Sequence, residues 1–273
     1  MVELQVVLPD ESAAMSPERL VELAVVAEEL GYGTAWLPDH LLPPGAFGST
    51  YGGVYEPLVT IGYLAARTTR IRFGTSVLVL PMRSPYVVAK QAATLHRLSG
   101  ERLVLGIGAG WEAAEFAAVG ASFEDRGRRT DESLAIIRGL FAGEDRDGVF
   151  EPKPRTTVPI MIGGTTRPAL RRAARFGDEW QGLGLDAAGF AATVARLQAL
   201  SAEPEGPSRS PNAAVRPVRV GTRLDWSSGE PVPIVEAAHE LAAAGAETIA
   251  ISFGDEQEAL DRMTRFYALF TAA

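Results

Sequence analysis

The sequence predicts an α/β protein built as a single (β/α)8 barrel, a TIM barrel, over residues 1–273. Two observations carry this. Short apolar, β-branched runs alternate with amphipathic segments almost to the chain end, and eight such pairs fit within 273 residues. Eight βα units in about 250 residues is the size of such a barrel. Parallel strands buried on both faces also read as near-continuous apolar runs. The competing doubly wound sheet calls for a G-x-G-x-x-G turn after its first strand. The stretch "VVLPDESAAMS" holds no glycine.

The units come in order. Val2–Pro9 reads as the first strand. Pro17–Leu30 is its helix, with Ser16 as N-cap, Pro17 at the first helical position and Gly31 closing the end. Thr34–Pro38 is the second strand and Glu56–Thr69 the second helix. Ile71–Leu80, "IRFGTSVLVL", is the third strand, followed by a helix over Pro85–Leu98. "RLVLGIGAG" runs as a fourth strand into a glycine loop, then a short helix, Glu112–Val119, and a longer one, Asp125–Phe141. "VPIMIGG" and Pro168–Phe176 form the fifth unit. "EWQGLG" is a weaker sixth strand, with Ala187–Leu200 its helix. "AVRPVRVGTRL" is the seventh, with an irregular start expected at Pro217, then a helix over Val232–Ala244. "TIAISFG" and Glu256–Phe270 complete the eighth. Ser201–Ala214 is rich in Pro and Ser and reads as a surface loop at the barrel bottom.

Composition narrows the chemistry. The net charge is −8 and no basic stripe appears. Nucleic acid and anionic membranes are thereby disfavoured as partners. The chain has no cysteine, which excludes disulfides, thiolate nucleophiles and Cys-held metals. The first ten residues lack a basic and apolar leader pattern, and no window reaches the ~18 apolar residues of a membrane span. A soluble cytoplasmic protein acting on a small molecule is expected. Lys90 and Lys153 are the only lysines, and neither ends a strand, which weakens Schiff-base chemistry.

Reactive groups of a barrel sit at the carboxyl ends of its strands. The second strand delivers Asp39–His40, the third Ser76–Val77, the fourth Gly108–Glu112, the fifth Gly163–Thr166, and the seventh Arg223 and Asp225. "IGGTTRPALRRAA" reads equally as a phosphate cradle, using helix N–H groups and dipole, or as a plain turn capped by Thr166. "GIGAGWEAAE" fails the dinucleotide spacing, because Trp111 stands where a third glycine belongs. Its small residues Gly108, Ala109 and Gly110 suit a flat ring, with Trp111 as a wall or as core packing. Glu112 suits a helix start. His96 and His239 fall mid-helix, outside the barrel ring. One histidine at the top cannot build a metal site, so no metal is expected.

Three segments together resemble the bacterial luciferase-like monooxygenase superfamily, closest to its branch using the deazaflavin coenzyme F420. They are "GYGTAWLPDH", the run from Thr68 to Trp111 with its trailing "EAAEFAAVG", and "PIMIGGTTRPALRRAARFGDEW". The resemblance implies a luciferase-like (β/α)8 barrel with a flavin or deazaflavin at its mouth. It implies a non-prolyl cis peptide at Ser76–Val77 against the ring, and a phosphate near Gly108–Glu112 and Gly163–Gly164–Thr165–Thr166. It makes His40 a proton-transfer candidate and Asp39 the group that orients it. Glu112 matches the family's acid only approximately, since Trp111 intervenes. The function implied is hydride transfer between F420 and a small organic substrate. The alternatives are a monooxygenase using reduced FMN and oxygen, a barrel glycosidase with Glu112 and Asp225 as paired carboxylates, and a non-catalytic flavin-binding barrel. Relatives suggest a homodimer.

Overall fold

The structure, a computed structural model, describes residues 2–9, 15–42, 55–144, 148–202 and 217–272. Asp10, Pro43–Pro44 of the segment after His40, and nearly all of the Ser201–Ala214 loop lie outside these. The strands are β1 (Glu3–Val7), β2 (Thr34–Leu37), β3 (Arg72–Thr75), β4 (Leu78–Val79), β5 (Leu103–Gly108), β6 (Ile160–Gly163), β7 (Glu179–Leu183), β8 (Arg219–Asp225) and β9 (Thr248–Ser252). The helices are α1 (Pro17–Leu30), α2 (Pro57–Ala65), α3 (Pro85–Leu98), α4 (Ala113–Ala118), α5 (Arg126–Ala142), α6 (Arg167–Phe176), α7 (Ala187–Ala202), α8 (Pro231–Ala243) and α9 (Ala259–Ala272).

All strand pairings are parallel, in the order β3-β2-β1-β9-β8-β7-β6-β5-β4. Phe73 and Gly74 of β3 pair with Leu103 and Val104 of β5, which closes the ring. Leu78 and Val79 of β4 pair with Ile107 and Gly108, further along the same strand. The predicted third strand is therefore one barrel strand broken at Ser76–Val77, giving eight staves. The peptide bond between those two residues is cis.

The break explains the glycines of the fourth and fifth strands. A Cβ on Gly106 would lie 1.7 Å from the Thr75 carbonyl oxygen. One on Gly108 would lie 2.3 Å from Val77 Cγ2, and one on Gly163 2.6 Å from Val77 Cγ1. Real Cβ atoms do not approach so closely, so these glycines make room for the bulge. Thr75 Oγ1 also donates to the Gly106 carbonyl at 2.6 Å. From sequence alone, the small residues are expected to admit a ligand. At Gly108 and Gly163 the neighbour is the protein itself.

The other elements form where local chemistry favours them. Ser16 Oγ accepts the Arg19 N–H, Pro17 opens α1, and Gly31 ends it at φ +104°. That left-handed geometry favours glycine. The second helix stops at Ala65, short of the expected Thr69, and the carboxylate of Glu28 on α1 holds the backbone of Thr69–Ile71 beyond it. The seventh strand begins at Arg219, after Pro217, as the irregular start anticipated. The sixth strand, weak in sequence, is a full member paired on both sides.

The main core lies between strands and helices, with Leu20, Leu23, Ile61, Leu105 and Ile249 among its buried residues. A smaller cluster fills the barrel: Val7, Trp36, Val104, Met161 and Ala250, with Val77 packed on it. The barrel is thus a packed core with its opening at the strands' carboxyl ends. His96 and His239 sit on outer helices, as predicted. His96 Nε2 lies 3.0 Å from Thr156 Oγ1, and burial lowers its pKa against the opposing pull of Glu101. His239 stacks on Phe270 at 4.3 Å.

Candidate functional site

Pro38, Asp39 and His40 carry the chain out of β2 onto the catalytic face. The His40 side chain is 8% exposed, and its Nδ1 lies 2.9 Å from Glu115 Oε2 on α4. Glu115 is 2% exposed, and its second oxygen accepts the Leu42 N–H at 2.8 Å. The Trp111 ring meets the imidazole edge-on, with centroids 5.7 Å apart and planes at 70°. At 52% exposure, Trp111 is a wall of the mouth rather than core packing.

Asp39 does not orient His40, contrary to the expectation drawn from the resemblance. Its carboxylate accepts the Val79 N–H at 2.8 Å and a forked pair from Arg83 at 2.8 and 2.7 Å. Arg83 lies 3.6 Å from Glu56, the residue that caps α2 through the Val59 N–H. Asp39 therefore ties the end of β2 to the strand just after the bulge. Burial pushes its carboxyl above the usual range, while Arg83 and the Val79 N–H pull the other way. The two neighbours have divided the work: Asp39 braces the backbone, and His40 faces Glu115.

Sequence reasoning missed Glu115. Glu112, Glu115, Glu124 and Asp125 are four acids within one stretch, and a short helix ordinarily turns its acids to solvent. One signal was available. Glu115 directly precedes Phe116, and these two are the buried residues of α4. Glu112 instead caps that helix, accepting the Ala114 N–H at 3.0 Å, the helix-start role that its position suits.

The third-strand break presents Ser76 and Val77, both half-buried, at the barrel mouth. Ser76 Oγ donates to Gln181 Oε1 on β7 at 2.8 Å. Gln181, 6% exposed, is a second residue that sequence reasoning missed. Ala109 and Gly110 continue the rim. Gly110 has φ +81°, and a Cβ there would strike Val79 and Phe116 at 2.6 and 2.8 Å. Arg126 steadies this turn, its Nε donating to the Gly110 carbonyl at 3.2 Å.

Gly163, Gly164, Thr165 and Thr166 lead into α6. Thr166 caps it, accepting the Ala169 N–H at 3.4 Å, and Trp180 Nε1 donates to the Gly164 carbonyl. The turn reading is thus realised. It leaves the cradle partly open: Pro168 has no N–H and the cap takes that of Ala169, which leaves the N–H groups of Thr166 and Arg167. The positive helix end and Arg167 at its first position suit an anion. Val77 offers an apolar surface beside the polar Ser76–Gln181 pair. A planar ring with a polar edge and an anionic tail fits these residues.

Fold and site together define a barrel whose mouth gathers an imidazole, a half-exposed indole and a backbone bulge. The model of the luciferase-like monooxygenase family matches residues 2–267, and the chain belongs to that family. A Mycobacterium tuberculosis protein of uncharacterized function is 36% identical over 206 residues, covering 67% of this chain and 71% of that protein. The F420-dependent glucose-6-phosphate dehydrogenase of Microbacterium testaceum is 35% identical over 181 residues, covering 61% of this chain. Those residues make up 53% of that dehydrogenase, so the chain matches about half its length. Among solved structures, an F420-dependent secondary alcohol dehydrogenase with an F420–acetone adduct aligns with TM-score 0.80. It is 15% identical and covers 98% of this chain and 99% of that one. The FMN-bound oxygenating constituent of 3,6-diketocamphane monooxygenase from Pseudomonas putida aligns with TM-score 0.72. It is 13% identical, over 98% and 95% of the two chains.

Proposed function

We propose that this chain is a deazaflavin-dependent oxidoreductase that transfers a hydride between coenzyme F420 and a small organic substrate. The observation that carries it is His40. It stands at the carboxyl end of β2, held through Nδ1 by Glu115, on the same face as the Ser76–Val77 bulge. Relatives named as F420-dependent dehydrogenases support the cofactor.

The deazaflavin, when bound, supplies the hydride chemistry at its C5. The chain supplies the rest. Val77 backs the ring, Ala109, Gly110 and Trp111 rim it, and the start of α6 with Thr165 and Thr166 receives the phosphate. His40 exchanges the substrate's companion proton at Nε2. Glu112 and Asp39 act on structure: the first caps α4, the second braces the bulge. Asp225 accepts from Ser227 Oγ in its own turn, an arrangement that gives the glycosidase alternative no support.

Titrating the protein with F420 and with FMN, following fluorescence quenching, tests the reading. Saturable F420 binding with weak or no FMN binding is expected. Tight FMN binding without F420 binding would replace it by the second reading, an FMN and oxygen monooxygenase, which the FMN-bound structural neighbour favours. Binding without turnover of any alcohol or carbonyl substrate would leave a flavin-binding barrel. A cytoplasmic homodimer goes with this function. Exposed Val59 and Tyr63 on α2 and Tyr86 and Val87 on α3 support the pairing. Light scattering that returns the 29.1 kDa single-chain mass would refute it.

A further inference from the structure

We infer that Glu115 is the positioning residue for His40. It fixes the imidazole tautomer and clamps the backbone that carries it. The two oxygens of one buried carboxylate are divided between two donors. Oε1 takes the Leu42 N–H at 2.8 Å, and Oε2 faces His40 Nδ1 at 2.9 Å. An ionised carboxylate only accepts hydrogen bonds. With Glu115 ionised and the imidazole neutral, the His40 proton sits on Nδ1, and Nε2 keeps its lone pair.

Nδ1 is thereby committed to Glu115. Among the described residues, the hydrogen bond of the imidazole is the one at Nδ1. Asp39, next in sequence, is committed to Val79 and Arg83 and cannot perform this duty. Trp111 confines the ring from one side, with its plane at 70° to the imidazole. Ring orientation, tautomer and the path of the chain at Leu42 thus depend on a single side chain, brought from a helix 75 residues away.

The catalytic meaning rests on the hydride-transfer reading above. In the oxidising direction, the carbinol C–H bond of an alcohol breaks and its hydride passes to the deazaflavin, the oxidant. The O–H bond breaks, its proton goes to Nε2 of His40, and the C=O double bond forms. Nε2 can accept that proton only while Nδ1 holds the other one. Glu115 touches neither substrate nor cofactor in this scheme and acts through His40.

Long-range 1H–15N correlation NMR reads the tautomer in the protein without cofactor. The three histidines are assigned by comparison with His40→Ala. In the wild type, His40 should show the Nδ1-protonated pattern at a pH where it is neutral. In Glu115→Gln the pattern should change to a mixture or to the Nε2-protonated form. In the same variant kcat should fall about 100-fold, the lower end of general acid–base effects, with cofactor affinity changed less than about threefold. Wild-type His40 protonated at Nε2 overturns the inference even if the variant fails to fold. So does a folded Glu115→Gln variant that keeps the tautomer and kcat. Failure of both F420 and FMN to bind would sink the functional reading alone, since the tautomer is measured without them.

Discussion

A methyl group at Gly108 would need the space that Val77 Cγ2 already fills, at a separation of 2.3 Å. Val77 belongs to the bulge and has the inner cluster beneath it, so its way out is into the mouth. Gly108→Ala should destabilise the protein by about 1–3 kcal/mol, the range for overpacking. It should also weaken cofactor binding, because the surface backing the ring moves. A Cβ on Gly148 meets nothing within 4 Å, which makes Gly148→Ala the control. Thermal unfolding and the F420 titration check both effects. Unchanged binding in a destabilised Gly108→Ala variant would mean that Val77 does not back the ring. His40 shows the limit of reading single residues. Its place on the catalytic face follows from counting strands, but its partner does not, because Asp39 adjoins it in sequence and Glu115 only in space.

At the scale of elements, one carboxylate joins α1 to the entry of β3. Glu28 accepts the backbone N–H groups of Thr69, Arg70 and Ile71. Partial burial would raise its pKa, but these bonds outweigh it and bring the carboxyl from an ordinary 4.5 to about 2. The folded value lies below the unfolded one. The stabilisation is therefore fully present above pH 4.5 and is lost as pH falls toward 2. Glu28→Gln should lower stability at neutral pH by about 1 kcal/mol, the modest net worth of hydrogen bonds near solvent. Its deficit should shrink steadily below pH 4.5 in urea titrations. A deficit that stays constant down to pH 2 would assign it to packing. Helix starts are legible in sequence here, since Ser16–Pro17 and Thr166 act within one turn of themselves. The end of α2 is not legible, because the backbone of Thr69–Ile71 just beyond it is held by a residue on another helix.

For the whole molecule, the features that the sequence leaves unseen lie mostly inside the barrel. The eight βα units can be read because apolar runs and glycine or proline punctuation recur along the chain. Side chains that meet across the ring leave no such trace. Glu3, Arg72, Glu179 and Arg219 open β1, β3, β7 and β8, and they join beneath the inner cluster. Arg72 lies 3.3 Å from Glu3 and 2.9 Å from Glu179, and Arg219 lies 3.0 Å from Glu3. Gln5 extends the layer upward, donating to Glu3 and accepting from the Trp36 indole. Burial raises the Glu3 carboxyl, but Arg72, Gln5 and Arg219 together hold it below its ordinary value. Its stabilisation is thus complete above the unfolded pKa of 4.5 and is lost as pH falls through the lowered folded value. Removing it takes a carboxylate from two arginines at once, although Arg72 keeps Glu179. A fully buried broken pair costs about 3–5 kcal/mol, but these side chains keep 26–30% of their exposure. Glu3→Ala should therefore cost nearer to about 2 kcal/mol. Because the layer spans strands on opposite sides of the ring, the loss should appear as one cooperative unfolding transition at a lower temperature. A separate early transition, with the rest of the barrel melting at the wild-type temperature, would show that the charged layer serves only its own end.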